Sequence, residues 1–126
     1  MRSILDTSVV IAPQHEVLPG EAAISAATIA ELQFGVLVAK TERVRAARLR
    51  RLSRLQRRFD PLPIDDAVAI SYGDIAAAVA RSGRNPRART MDLLIAATAH
   101  AHDARLYTRN AKDFAGLDEL VDVVAV

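Results

Sequence analysis

Short apolar runs alternate along this chain with longer stretches whose apolar residues recur every three or four positions. Ser3-Ile4-Leu5, Ala22-Ala23-Ile24, Arg105-Leu106-Tyr107-Thr108 and the terminal residues 121–126 read as strands, since each is short, apolar and bounded by polar or turn residues. The longer stretches predict helices. A short one over 9–12 is cut off by Pro13 and the Pro19-Gly20 turn, and a second, capped by Ser25 or Thr28, runs through Glu31 to about Ala39. A third spans roughly 41–59, with Val44, Ala47, Leu49, Leu52, Leu55 and Phe59 on its apolar side and arginines around the rest. Asp65-Asp66 open a fourth, which stops at Ser82-Gly83, and a fifth, alanine-rich, runs from Thr90 to about Asp103. Pro61-Leu62-Pro63-Ile64 is extended by its prolines, 84–89 reads as a polar loop, and 110–114 as a turn or short helix. Strands alternating with helices in this way predict an α/β fold, a three-layer α/β/α sandwich around a mainly parallel sheet. The strand order is not written in that pattern.

Length and composition narrow the possibilities. A chain of 126 residues, 51% of them apolar, suits one domain with a real core and does not suit disorder. The absence of cysteine excludes disulfides, thiolate zinc sites and a cysteine nucleophile together. The apolar run near the N-terminus is too short for a signal peptide, and no stretch approaches the ~20 apolar residues of a membrane span. A cytoplasmic location is the expectation. Of 17 Lys and Arg, nine lie between Lys40 and Arg58 and four are Arg81, Arg84, Arg87 and Arg89, leaving four elsewhere against 14 acids. Concentrated positive segments beside an acidic remainder suit attraction of a polyanion, although a basic helix can equally be a solvated face. With two Tyr, three Phe and no Trp, stacking of bases on an aromatic platform is not the expected mode.

The acids are the candidate chemistry. Ligands of open parallel sheets sit beyond the carboxyl ends of the strands. Asp6 ends the first strand, Asn110 and Asp113 follow the 105–108 strand, and Glu31 lies early in a helix that leaves a strand end. Asp92 lies in the first turn of the helix feeding the 105–108 strand, and such a helix is expected to begin at the opposite edge. Sequence geometry therefore gathers Asp6, Glu31 and Asp113 but leaves Asp92 out. Two unit charges ~4 Å apart repel by about 4 kcal/mol at an effective dielectric near 20, so meeting carboxylates call for a cation. Oxygen donors without cysteine favour Mg²⁺ or Mn²⁺ over zinc. Each acid also has a plain local explanation. Asp6 can cap the helix after it, Thr28-Ile29-Ala30-Glu31 fits a capping box, and Asp92 can favour the helix dipole. Asp65 and Asp66 read as caps. Asp103, eleven residues past Asp92, stands ~16 Å away along a helix and cannot share its ion. His15, His100 and His102 form no site by spacing, Thr7 and Ser8 have no histidine base at a diagnostic spacing, and the isolated glycines make no phosphate-cradling loop.

Four segments in order tip the balance: Ile4-Leu5-Asp6-Thr7-Ser8, Thr28-Ile29-Ala30-Glu31-Leu32-Gln33-Phe34-Gly35, Asp92-Leu93-Leu94-Ile95-Ala96-Ala97-Thr98-Ala99 and Leu106-Tyr107-Thr108-Arg109-Asn110-Ala111-Lys112-Asp113-Phe114. Over essentially the whole chain they resemble the PIN-domain ribonucleases, and within them the VapC-type toxins of bacterial toxin–antitoxin pairs. The resemblance implies a single PIN-like nuclease domain over 1–126, with Asp6, Glu31 and Asp92 as metal-binding catalytic acids and Asp113 as the fourth. It implies that Ser8, Thr108 and Asn110 are polar supports, and that the N-terminus of the Asp92 helix reaches the acidic pocket. One position departs. Many relatives carry an aspartate where Asn110 stands, so either Asp113 alone is the fourth acid or a second metal site is weak.

The reaction so implied is hydrolysis of an RNA phosphodiester with Mg²⁺ or Mn²⁺ and no covalent enzyme intermediate. The two basic segments, through Arg43, Arg50, Arg54, Arg84 and Arg87, would guide the phosphate backbone. The implied partners are RNA, a VapB-like antitoxin whose C-terminal segment covers the site, and a second copy of the chain. Two other classes compete. A non-catalytic nucleic-acid-binding module would bind regardless of chelation or of Asp6. A phosphoaspartyl domain with Asp6 as nucleophile is disfavoured, because Asp6-Thr7-Ser8 lacks the second aspartate two residues on.

Overall fold

A computed structural model describes residues 2–12 and 21–126. Four short strands, β1 (Arg2–Leu5), β2 (Glu21–Ala23), β3 (Arg105–Thr108) and β4 (Val123–Ala125), form one sheet in the order β2-β1-β3-β4. Every neighbouring pair is parallel, with Ile4 opposite Ala23 on one side and Leu106 on the other, and Leu106 opposite Val123. The connections are α1 (Thr7–Val10), α2 (Ala26–Leu37), α3 (Glu42–Arg58), α4 (Asp66–Arg81) and α5 (Thr90–Ala101). The expected α/β layering is present. Alternation along the strands splits the core in two: Ile4 and Leu106 join Val68, Ile75, Leu93 and Ala97 on one face, while Leu5 and Tyr107 join Ile24, Leu32, Leu52 and Leu55 on the other. No helix among the described residues is long and apolar enough to cross a membrane.

Local chemistry accounts for most boundaries. Ser25, Thr41 and Asp65 cap α2, α3 and α4 by accepting from the backbone N–H groups of Ala27, Val44 and Val68. Asp66 falls inside the first turn of α4 rather than at its cap. Leu62, held extended between two prolines, exchanges backbone hydrogen bonds with Ile24 and Ala26 and so pairs just beyond β2.

Several boundaries differ from the sequence expectation. The first short helix starts at Thr7, one residue after the strand, not at Val9; Pro13 and the Pro19-Gly20 turn lie outside the described residues. The polar loop contains a short 3₁₀ helix, Pro86–Arg89, whose first turn Asn85 caps through the Arg87 N–H; another, Ala111–Phe114, follows β3. The last strand begins at Val123 because the N–H groups of Leu120 and Val121 turn back to the Leu117 carbonyl. On α3, Leu52 and Leu55 are buried, but Val44 and Leu49 are exposed. Its apolar stripe is therefore only partly buried, while Arg48 reaches the Gly35 carbonyl from the first half of the helix.

Candidate active site

The carboxyl end of β1 sets the site. Asp6 follows Leu5 with extended backbone and its N–H donates to the Tyr107 carbonyl, so parallel pairing with β3 continues through it. It stands at the cap position of α1, yet its side chain makes no capping bond. Instead its Oδ2 accepts from Ser8 Oγ at 2.6 Å and from Thr108 Oγ1 at 2.8 Å. Both hydroxyls are themselves held, since Ser8 Oγ accepts from the Arg109 N–H and Thr108 Oγ1 from the Asn110 N–H, each at 3.0 Å. Asp6 is only 5% exposed and Thr108 fully buried. A buried carboxylate fixed by two charge-assisted hydrogen bonds is oriented, not capping. Asn110, itself exposed, joins this set through its backbone.

Glu31 reaches the same place from α2. The capping-box explanation fails because the helix already begins at Ala26; Thr28 is buried within its first turn, and the cap is Ser25. Glu31 Oε1 accepts from Thr7 Oγ1 at 2.7 Å, and that hydroxyl also lies 3.1 Å from Thr28 Oγ1. Burial pushes the Glu31 carboxyl above its ordinary value; the Thr7 hydrogen bond opposes the shift and the neighbouring Asp6 charge adds to it.

Asp92 also belongs to this edge, contrary to the geometric expectation. β3 starts at the amino edge of a parallel sheet, and α5 ends four residues before it, so the C-terminus of α5 is at that edge. Twelve residues of helix, ~18 Å at 1.5 Å each, carry its N-terminus back to the carboxyl edge. The electrostatics agree with that placement. The Asp92 carboxyl is pushed up to about 6, first by burial and then by the charges of Asp6, Asp113 and Glu31, with Arg89 pulling the other way. Four acids far apart in sequence thus share one electrostatic environment.

Two residues of this site were not expected from sequence. From sequence Thr7 reads only as a hydroxyl without a histidine base, whereas it is the hydroxyl that joins α1 to Glu31. From sequence Arg89 is one of several basic residues in its segment, whereas its Nη1 lies 3.0 Å from Asp113 Oδ1 and 3.9 Å from Asp92 Oδ2. Its spacing of three before Asp92, at the start of a helix, is the one signal that could have found it. The proposed RNA-guiding residues Arg43, Arg50, Arg54, Arg84 and Arg87 are all exposed, and none of them pairs with the four acids. Arg54 lines a groove of about 460 Å³ with Arg51, Arg58, Leu55 and the Val10-Ile11-Ala12 segment. Arg84 reaches the Lys112 carbonyl at 3.5 Å, next to Asp113. His100 hydrogen-bonds Ser71 and His102 faces Arg2, away from this edge, while His15 lies outside the described residues.

The donor set is all oxygen and suits a hard divalent cation. Among the described residues, no three Asp, Glu or His side chains are already drawn close enough to enclose one.

Parallel strands flanked by helices, with acids collected beyond their carboxyl edge, define a class of α/β protein with an acidic polar site. The chain belongs to the PIN domain family, which matches residues 3–120. It is 37% identical to Ribonuclease VapC5 of Mycobacterium tuberculosis (strain ATCC 25618 / H37Rv), over 95% of this chain and 90% of that protein. Ribonuclease VapC8 of the same species (strain CDC 1551 / Oshkosh) is 39% identical over 76% of this chain and 88% of its own. Among solved structures, VapBC-5 from M. tuberculosis, a member of the VapBC family of toxin-antitoxin systems, superposes with a TM-score of 0.84 at 37% identity, covering 99% of this chain and 97% of that one. FitAcB from Neisseria gonorrhoeae gives 0.76 at 29% identity, over 96% and 95%.

Proposed function

We propose that this chain is a metal-dependent endoribonuclease and the toxin of a toxin–antitoxin pair, acting in the cytoplasm. One observation carries the reading: Asp6, buried and oriented by Ser8 and Thr108, shares its electrostatic environment with Glu31, Asp92 and Asp113. The names of the relatives, ribonucleases and toxin–antitoxin complexes, support the substrate and the partner. Asp6 and Asp92 are the principal metal-holding acids, with Glu31 and Asp113 completing the set, and Mg²⁺ or Mn²⁺ is the ion that suits them.

The residues divide the work. Ser8 and Thr108 spend their hydrogens on Oδ2 of Asp6, which leaves Oδ1 as the oxygen to meet an ion. Thr7 holds Glu31 by Oε1 in the same way and ties α1 to α2. When bound, a divalent cation would activate water and screen the phosphodiester charge. Arg84 and Arg87, on the segment leading to Arg89, and the arginines of α3 would draw the RNA backbone toward the acids. The antitoxin and a second copy of the chain are the proposed protein partners; exposed Phe34, Leu37 and Ile70 offer apolar surface to them.

The test is cleavage of RNA by Asp6→Asn and Asp92→Asn beside the wild type, with Mg²⁺ or Mn²⁺ and with a chelator. Loss of cleavage in both variants and on chelation, with folding retained, is the expected result. Chelator-resistant RNA binding without cleavage by the wild type would mean a binding module instead.

A further inference from the structure

All four carboxylates of the acidic edge have a hydroxyl or a cation against them, but among the described residues only Asp113 has a cation at hydrogen-bond distance. Arg89 Nη1 donates to Asp113 Oδ1 at 3.0 Å and hangs 3.9 Å from Asp92 Oδ2. The three side chains are about equally exposed, 35%, 30% and 29%, so the pair is accessible to ions from solution. The backbone beneath Arg89 is held on both sides. Asn85 accepts from the Arg87 N–H, Thr90 Oγ1 donates to the Arg87 carbonyl, and Arg89 immediately precedes α5. Its guanidinium therefore points at the acids from a fixed root.

We propose that Arg89 is a built-in counter-cation that occupies Asp113, so that a divalent metal ion can use this carboxylate only by displacing it. The inference rests on the metal-binding reading of the site and deepens it. This occupancy ends when another cation takes Asp113 or when an anion, such as an RNA phosphate, draws Arg89 off. Arg89 thereby restrains Asp113 from metal binding in the absence of substrate. Affinities of metal and RNA then reinforce one another by linkage, because a phosphate that engages Arg89 releases the fourth acid. In this role Arg89 is a positioning residue, acting on the metal through Asp113.

The experiment is calorimetric titration of Mn²⁺ into the whole chain without RNA, for the wild type, Arg89→Gln, Asp113→Asn and the double variant. Arg89→Gln should bind Mn²⁺ about fivefold more tightly, the upper end for a partly exposed ion pair. That gain should disappear when Asp113→Asn is also present. Unchanged or weaker binding by Arg89→Gln overturns the proposal, as does a gain that persists in the double variant, since the effect would then be Arg89's general repulsion of cations. Should Arg89→Gln fail to fold, Arg89→Met keeps the packing of the stem and carries the same expectation and the same refutation. Asp6→Asn serves as the separate control: Mn²⁺ binding undiminished in that variant removes the metal reading itself, whatever Arg89 does.

Discussion

Asp92→Asn should make the metal-free protein more stable at pH 8 while destroying its activity. Burial pushes the Asp92 carboxyl up, and the facing charges of Asp6, Asp113 and Glu31 add to the effect, so it is held at about 6 against an ordinary 3.8. A shift of about two units corresponds to roughly 3 kcal/mol at 1.36 kcal/mol per unit. Solvent reaches 29% of the side chain, and screening reduces this to about 1–2 kcal/mol. The sign follows from the direction of the shift. A carboxyl whose folded pKa is raised favours the fold when protonated, and that advantage is lost as pH climbs from about 4 through about 6. Above that range the ionised wild-type side chain costs stability that the neutral, nearly isosteric Asn does not. For a domain of this size the gain in Tm is about 3–10 °C. Thermal unfolding followed by circular dichroism, with a chelator present, at pH 8 and again near pH 4.5, measures it. Equal or lower Tm for the variant at pH 8, or a gain of the same size at both pH values, would refute the repulsive cluster. Added Mn²⁺ should raise the wild-type Tm and leave that of the variant nearly unmoved.

Other consequences can be checked as directly. Thr108→Val keeps the buried shape of β3 but removes a donor to Asp6; urea unfolding should show a loss of about 1.5–3 kcal/mol, and cleavage should fall with it. RNA binding should weaken as salt rises, and replacing Arg84 and Arg87 together by Ala should reduce the slope of log Kd against log salt by about 1–2. A slope unchanged in that variant would move the RNA path elsewhere, with α3 the next surface to neutralise.

How far the sequence reads toward this site varies residue by residue. Asp6 was legible because a short apolar run ending in an acid has few structural outcomes, and in a parallel sheet that end is where ligands sit. Glu31 was legible as a candidate but carried a false competitor. Thr28 looked like a cap because Thr-x-x-Glu is locally self-sufficient, whereas Ser25, three residues earlier, is the side chain that caps the helix. Thr7 was invisible, since its partner lies 24 residues away on another helix. The exposed Val44 and Leu49 mark the same limit from the opposite side: an amphipathic pattern names a face, and the length of its neighbour decides how much of that face is covered.

By itself the order of residues determined the helices, the strands, the Asp65 cap and the α/β class, because each depends on side chains within one or two turns of one another. It also placed single carboxylates at single element ends. Tertiary structure alone decided that Asp92 shares a charge environment with Asp6, that hydroxyls of Ser8 and Thr108 converge on one oxygen, and that Arg89 stands against Asp113. Those meetings come from parallel pairing of β1 with β3 across about a hundred residues and from the return of α5 over the sheet. Coulombic and hydrogen-bond energies depend on distance in space, and spacing along the chain carries no record of it beyond the reach of a helical turn.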